Sequence, residues 1–424
     1  MKYANSVKYL KSFDLSGDIS EISAARVAGL CRDLGKINVG PKFIHISGAS
    51  ASHGCALFIE SIIKNAGYRV GRINTAYKFD IMKTVYIDRQ IPVIDDYNKA
   101  VAAIRQIVNK KSGEIYKREE IVFVFSLMVC MLEGCEFVIL EECINEYPGL
   151  FEICAPYEIA VIPSGYGKEP DTLREQKWSN TIKLVRHEVI SGNQKTDTYN
   201  IISDKCRLYG TRLAIPAKAQ FVPTEIDNRN VAFEYKGKSN YKIKSISLLL
   251  RDCAMTAIET VNSLRRSGIK ISGNAICQGL LEAGNAGFCE IISASPLIIT
   301  DISSMTEEIT VLRKSLDSLS SDFEKSEKVI CFGAENAREA INKLKSAHCF
   351  SPAKIYIFTP DANEELTALS EDSETECVLL DSIKNLAELI LWENREDRIT
   401  VCFGEIDFID ELKKCIFDTI NERQ

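Results

Sequence analysis

The chain predicts an α/β protein with two doubly wound parts and a small antiparallel β segment, and three stretches carry that expectation. The run Phe43-Ile44-His45-Ile46-Ser47-Gly48 is short, apolar and β-branched; small residues follow to Cys55, and then Leu57, Phe58, Ser61, Ile62 and Ala66 recur at helical spacing. Residues 196–246 change character to short runs with polar alternation. From residue 296 onward, strand-like and helix-like runs alternate to the end of the chain.

Taken in order, residues 23–34 place Ala25, Val27, Leu30 and Leu34 on one helical face, with Gly35 as the stop. Residues 43–47 read as a strand, 48–55 as a small-residue loop, 56–66 as a helix ending at Gly67, and 69–74 as the next strand. That βαβ unit has its loop where α/β folds bind phosphate, because a helix amino end presents unpaired N–H groups and partial positive charge. Residues 84–87 are a short strand, Asp88-Arg89-Gln90 a turn, and residues 95–109 a helix with Ala100, Ala103, Ile104 and Ile107 on one face. Residues 119–132 are so apolar that the helix must be buried on most sides. A parallel-type strand at 135–140 ends at Glu141-Glu142, and another at 157–163 ends at Ser164-Gly165. The pattern at 166–190 is mixed and polar, with Asp171 as a helix N-cap.

Within the β-rich segment, residues 199–202, 207–215, 231–235 and 241–246 read as antiparallel strands, with Gly237-Lys238-Ser239-Asn240 as a hairpin turn. Helices follow at 248–264 and 273–282. The tail then gives strands at 297–300, 329–332, 354–358, 377–380 and 399–403, with helices at 305–319, 336–346, 364–369, 383–392 and 406–416. The expected division is 1–295, including the β-rich segment 196–246, and 296–424.

Composition excludes several functions. With 424 residues, a net charge of −7 and no basic block, the chain is not built to hold nucleic acid. No apolar run reaches the roughly 18 residues that span a bilayer, and the first residues lack the apolar segment of a signal peptide, so a cytoplasmic protein is expected. The 15 cysteines are scattered and never spaced as CxxC, which reads as free core thiols. His45, His53, His187 and His348 are not spaced like zinc ligands.

Several stretches carry a family resemblance. Leu34-Gly35, Ile44-His45-Ile46-Ser47-Gly48, Phe58-Ile59-Glu60-Ser61-Ile62, Ala66-Gly67-Tyr68-Arg69-Val70-Gly71, Glu120, Cys135-Glu136-Phe137-Val138-Ile139-Leu140-Glu141, Asp171-Thr172-Leu173 and Trp178 follow the order found in the folylpolyglutamate synthase/dihydrofolate synthase branch of the Mur ligase family. So do Gly268-Ile269-Lys270-Ile271-Ser272, Ala286-Gly287-Phe288-Cys289-Glu290-Ile291, Pro296-Leu297-Ile298-Ile299-Thr300-Asp301 and Gly404-Glu405. The chain resembles that branch along its length. The resemblance implies a Mur-ligase-like α/β fold, with a P-loop-type central ATPase domain and a smaller Rossmann-like carboxyl domain. It also implies a ligase that uses ATP and magnesium to activate a carboxylate as an acyl phosphate for attack by an amino acid.

The residues that chemistry needs are largely replaced. Where the family loop has Gly-Thr-Asn-Gly-Lys-Gly-Ser, this chain has Gly48-Ala49-Ser50-Ala51-Ser52-His53-Gly54. Ser52 stands at the lysine, and a unit charge near the phosphates is worth roughly 4 kcal/mol at about 4 Å with an effective dielectric near 20. Ala51 and His53 stand where glycines let the backbone curl, and Gly54 lacks the hydroxyl that would bind magnesium. Glu141 matches the magnesium-binding glutamate, but the glycine-rich substrate loop after it is rewritten as Cys143-Ile144-Asn145-Glu146-Tyr147-Pro148-Gly149. The family's Asp-His pair has no counterpart in residues 164–170, and its modified lysine falls on Asn180. Its His-Gln and Asn-Ala pairs become Asp252-Cys253 and Thr256-Ala257, and the arginine of Pro-Gly-Arg falls on Phe288. Of Asp-Gly-Ala-His-Asn-Pro only Asp301 persists.

What remains is a nucleotide-binding remnant, Gly48, Ser50, Ser52 and Gly54, with Glu141 as a remnant metal ligand and Asp301 as a remnant of the carboxyl domain's motif. Each has a plainer reading. Glu141 is a strand-end carboxylate, Asp301 caps the helix after it, His53 is a solvated loop residue, His45 a hydrogen-bonded core residue and Cys55 a free core thiol. The expected function is therefore a folylpolyglutamate synthase-like scaffold without ligase chemistry, acting on a protein partner or on a folate-like or peptide ligand. The alternative is an ATP-dependent amide ligase with a rebuilt site. There, N–H groups of residues 52–55 hold phosphate, Glu141 holds magnesium, and Lys168 or Lys177 supplies the missing charge. Restoring the family's residues in the loop, as Ala51→Gly, Ser52→Lys, His53→Gly and Gly54→Ser together, is expected to give nucleotide binding wherever the loop backbone has kept its shape.

Overall fold

The computed structural model describes residues 3–16, 21–48, 50–74, 81–111, 113–143, 149–164, 171–227, 229–285, 287–317, 326–393 and 398–423. The chain divides into two units, residues 1–220 with 252–283 and residues 221–251 with 284–424. Sequence reading placed the boundary near 295; here the chain crosses between units near 220, 251 and 283.

The first unit opens with α1 (Tyr3–Lys11) and α2 (Ala24–Asp33), the latter capped by Ser23, whose side chain accepts the Arg26 N–H. Then come β1 (Lys42–Gly48), α3 (Ser50–Asn65), β2 (Val70–Asn74) and β3 (Val85–Ile87). α4 (Ile94–Val108), α5 (Arg118–Leu132), β4 (Phe137–Cys143), β5 (Tyr157–Ile162) and α6 (Asp171–Ile182) follow. The seven-stranded sheet has the order β3-β2-β4-β1-β5 and continues through β6 (Val185–Ser191) and β7 (Arg212–Ala214). β3 alone runs antiparallel, to β2; the other pairs are parallel. The sheet buries both faces, so its central strands are continuously apolar apart from a few polar positions that shape the site. α5 is buried as its composition requires, with Phe125 packed on Tyr97 of α4 at 4.4 Å between ring centroids.

Two expectations for residues 196–246 are overturned. Residues 199–202 are not a strand but part of α7 (Thr196–Tyr209), which buries Ile202 and Cys206, four residues apart on one face, and stops at Gly210 with φ 67°. The β-branched pair Ile201-Ile202 imitated a strand; helical burial decided the outcome. Of residues 207–215 only β7 is extended, and it joins the parallel sheet rather than an antiparallel one. β6 escaped notice because its first three residues are not buried, which hides the apolar half.

The second unit contains β8 (Phe221–Ile226), β9 (Val231–Tyr235) and β10 (Lys238–Ile243), an antiparallel sheet of order β10-β9-β8. The β9–β10 turn sits at Lys236-Gly237, one residue earlier than expected. Both have positive φ, 51° and 70°, as a two-residue turn of the primed kind requires. α8 (Leu248–Arg266) starts in this unit and continues in the first, where α9 (Gly273–Glu282) follows. β11 (Glu290–Ala294), β12 (Leu297–Asp301), α10 (Thr306–Leu316), β13 (Glu327–Gly333), α11 (Ala337–Ala347) and β14 (Lys354–Phe358) come next. They are followed by α12 (Glu364–Glu371), β15 (Glu376–Leu380), α13 (Ile383–Glu393), β16 (Arg398–Phe403) and α14 (Ile406–Arg423). The six-stranded sheet has the order β11-β12-β16-β13-β14-β15, parallel except for β11. This is the alternating pattern expected from the tail, with β11 added at the edge. No helix among the described residues is long and apolar enough to cross a membrane.

In the first unit α3 meets α9 backbone to backbone: a Cβ on Gly279 would lie 2.5 Å from the Cα of Ile62. Alanine is the better helix former by about 1 kcal/mol, so only a clash can make it harmful there. Gly279→Ala is expected to lower unfolding free energy in urea by about 1–3 kcal/mol, and Gly273→Ala, with nothing near its Cβ, to leave it unchanged or raise it slightly.

Candidate functional site

The stretch expected to be a loop is largely helix. α3 starts at Ser50, so Ala51, Ser52, His53 and Gly54 form its first turns rather than a phosphate-wrapping loop; Ala49 lies outside the described residues. Ala51 and Ser52 are 1% exposed and Cys55 is fully buried. The start of α3 packs on α8, with the Cys253 thiol donating to the Ala51 carbonyl at 3.4 Å and the Cys55 thiol to the Cys253 carbonyl at 3.9 Å. Gly48 is needed at the strand end, since a Cβ there would stand 2.8 Å from Ser52 Oγ and 3.4 Å from Pro163 Cδ. Ser52 Oγ is buried without a hydrogen-bond partner. Ser52 and Gly54 are thus buried in the first turns of α3, and Gly48 sits close against Ser52 and Pro163. Ser50 is the first helical residue.

Strand alternation sends the adjacent Glu141 and Glu142 to opposite faces of the sheet. On the α3 face Glu141 is 1% exposed, lies across from Ile46 and Asn74, and has both carboxylate oxygens engaged. Oε1 is hydrogen-bonded to His53 Nδ1 at 2.9 Å, and Oε2 accepts from Arg72 Nη1 at 2.8 Å. Burial alone would raise this carboxyl, but His53 and Arg72 beside it hold it below its usual value. His53 is therefore not the solvated residue expected from the sequence. With its side chain 11% exposed, it is Glu141's partner, and Asn74 Nδ2 lies 3.4 Å from the same ring nitrogen. On the other face Glu142 pairs with His45 Nε2 at 2.9 Å and with Lys177 Nζ at 3.5 Å. Burial raises Glu142's carboxyl, and Lys177 and His45 more than offset it, leaving it low. His45 stacks on Tyr157 with ring centroids 4.9 Å apart, a core residue as expected.

Lys177, offered as a replacement phosphate cation, is committed to Glu142. Lys168, residues 144–148 of the rewritten loop, residues 165–170 and Ala286 lie outside the described residues. Asp301, in the second unit, accepts the Cys289 N–H and the Ser303 N–H, each at 2.8 Å. It ties a turn rather than capping α10, whose start is held by Glu308 through the N–H groups of Ser304 and Met305. Burial pushes the Asp301 carboxyl up despite those donors.

Sequence reading missed Arg72 and Glu60. Each left a signal: Arg72 is a charge between Gly71 and Ile73 in a fully buried strand, and Glu60 a charge amid Phe58, Ile59 and Ile62 on a buried helix. Two such residues twelve positions apart in one βαβ unit invite pairing, and they pair at 2.7 Å.

The fold defined by these units is that of the Mur-ligase-like folylpolyglutamate synthases. The folylpolyglutamate synthase of Thermotoga maritima superposes with a TM-score of 0.75 at 16% identity, over 98% of this chain and 97% of that one. The E. coli FolC structure in complex with DHPP and ADP gives 0.77 at 19% identity over 99% and 98%. A structure described as an FPGS–AMPPCP complex gives 0.74 at 17% over 99% and 100%. Among curated sequences, dihydrofolate synthetase of Saccharomyces cerevisiae is 18% identical over 210 residues, 46% of this chain and 48% of that protein, so the match spans about half of each. No family model matches the chain.

A magnesium ion demands near-octahedral oxygen ligands at about 2.0–2.1 Å. Glu141 offers no oxygen that is not already bonded to a cationic or imidazole nitrogen, and no group of three or more metal-ligating side chains among the described residues is arranged to hold an ion. Among the described residues the fit to the metal that the resemblance implies is poor, because an ion at Glu141 would have to displace Arg72 or His53 from its oxygens.

Two outcomes follow from this geometry. The fourfold variant Ala51→Gly, Ser52→Lys, His53→Gly and Gly54→Ser is expected to lose stability by about 3–5 kcal/mol and to give no heat of ATP binding in calorimetry, because it buries a lysine and strips Glu141 of a partner. Because Glu141 and Glu142 titrate low when folded, the stability they contribute is complete above the ordinary glutamate value, about 4.3, and is lost as pH falls through the depressed folded values. Denaturant midpoints are expected to drop on acidification below about pH 4.3, and to drop less steeply in Glu142→Gln.

Proposed function

We propose that this protein is a folylpolyglutamate synthase-like scaffold that does not run ATP-dependent ligation and acts by binding, with an active ligase or a folate-like or peptide carboxylate as its target. We place it in the cytoplasm. The observation that carries the reading is the state of Glu141: the carboxylate on which magnesium and triphosphate would depend is held by Arg72 on one oxygen and His53 on the other. The closed start of α3 supports it, since Ala51, Ser52 and Cys55 are packed against α8 or the strand end. The missing lysine and glycines of the loop point the same way. A fold shared with ligases does not carry their chemistry, which resides in the site.

Thermal unfolding with ATP and magnesium chloride, each raised to millimolar levels, tests the reading. A ligand at a hundred times its dissociation constant stabilises by about 2.7 kcal/mol. No saturable shift is expected. A saturable rise in Tm that disappears in Glu141→Ala would overturn the proposal.

A further inference from the structure

Arg72 is the least expected residue in the first unit: it is 2% exposed in β2, between Gly71 and Ile73. Its Nε donates to Glu60 Oε2 at 2.7 Å and its Nη1 to Glu141 Oε2 at 2.8 Å, while the guanidinium carbon lies 4.4 Å from the centroid of the Tyr86 ring. Glu60 is fully buried, and its other oxygen accepts the Arg89 N–H at 2.8 Å. α3 supplies Glu60 and His53, β4 supplies Glu141, and β2 supplies the cation on which both carboxylates converge. Two buried carboxylates aimed at one point repel and are costly to desolvate unless a cation stands between them. Arginine suits that place better than lysine, because its planar fork holds two acceptors at once and it is weakly hydrated.

Bridging and neutralising converging carboxylates is the electrostatic work of a bound divalent ion. We propose that Arg72 is a built-in substitute for such an ion, so that removing its guanidinium turns a protein indifferent to divalent cations into one whose folded state depends on them. The geometry explains the mismatch between Glu141 and magnesium: the carboxylate is present, but a covalently tethered cation already occupies its coordination direction. The inference rests on the non-catalytic reading only in taking Glu141 to be free of metal duty, and nucleotide is left out of its test for that reason.

The experiment compares the intact protein with Arg72→Met and Arg72→Lys, each unfolded thermally in EDTA and in millimolar manganese(II) chloride, manganese being a probe that accepts oxygen and nitrogen ligands. The intact protein and Arg72→Lys are expected to show the same Tm in both conditions. Arg72→Met is expected to fall by about 10 °C in EDTA, the scale of a broken buried pair in a domain of this size, and to regain most of that loss with manganese. Should Arg72→Met fail to fold in EDTA, the double variant Glu60→Gln, Arg72→Met removes one of the opposed charges and is expected to fold without metal, with a smaller manganese response. If Arg72→Met is as stable as the intact protein or indifferent to manganese, or if the double variant also fails to fold, the inference is wrong and the non-catalytic reading stands. If the intact protein itself is saturably stabilised by manganese and Glu141→Gln abolishes the effect, both fall.

Discussion

The contact between the Arg72 guanidinium and the Glu141 carboxylate is the constraint on which the first unit turns. A carboxylate at the end of a central parallel strand sits where α/β folds collect ligands, and it cannot stay ionised in that setting without a counter-charge. In this molecule the counter-charge belongs to the chain. Arg72 comes from the neighbouring strand, His53 from the helix above, and Glu60 from the same helix closes the circuit. A buried pair of this kind adds little to net stability against an apolar alternative, yet losing one partner is expensive, so it fixes which groups face one another.

The same constraint accounts for the conformation of the strand–helix junction. A phosphate-wrapping loop needs backbone N–H groups turned outward around open space. Here the residues after Gly48 enter α3 almost at once, and the first turn is sealed by Cys253 and by the close approach of Ser52 to Gly48. With His53 brought onto the helix, its ring reaches Glu141, which a residue in an open loop would not be constrained to do. The early start of α3 and the pairing of the carboxylate go together.

Much of the fold was legible in the sequence, because strongly periodic stretches leave little choice: α5, β1, β4 and the whole alternation after residue 296 stand where their patterns put them. The failures have physical causes. Residues 199–202 carry a β-branched pair, but burial of Ile202 and Cys206 at helical spacing overrides local preference. β6 carries the exposed Arg186 and His187 in its first half and so lacks a continuous apolar run. At the site, motif comparison pointed to what was missing, the lysine and the glycines, but not to what had arrived. Arg72 and Glu60 belong to no motif, and their meaning lies in a contact between a strand and a helix that spacing alone does not reveal. A loop at this stretch would leave His53 solvated; on α3 its ring reaches Glu141 instead.

A crystal of the protein soaked with AMPPCP and manganese(II) chloride, with anomalous data recorded to locate the metal, examines the central claim directly. The account predicts guanidinium density joining Glu60 to Glu141, His53 against the second carboxylate oxygen, and no anomalous peak beside Glu141. A manganese peak at coordination distance, about 2 Å from that carboxylate, with Arg72 displaced and triphosphate on the amino end of α3, would contradict it.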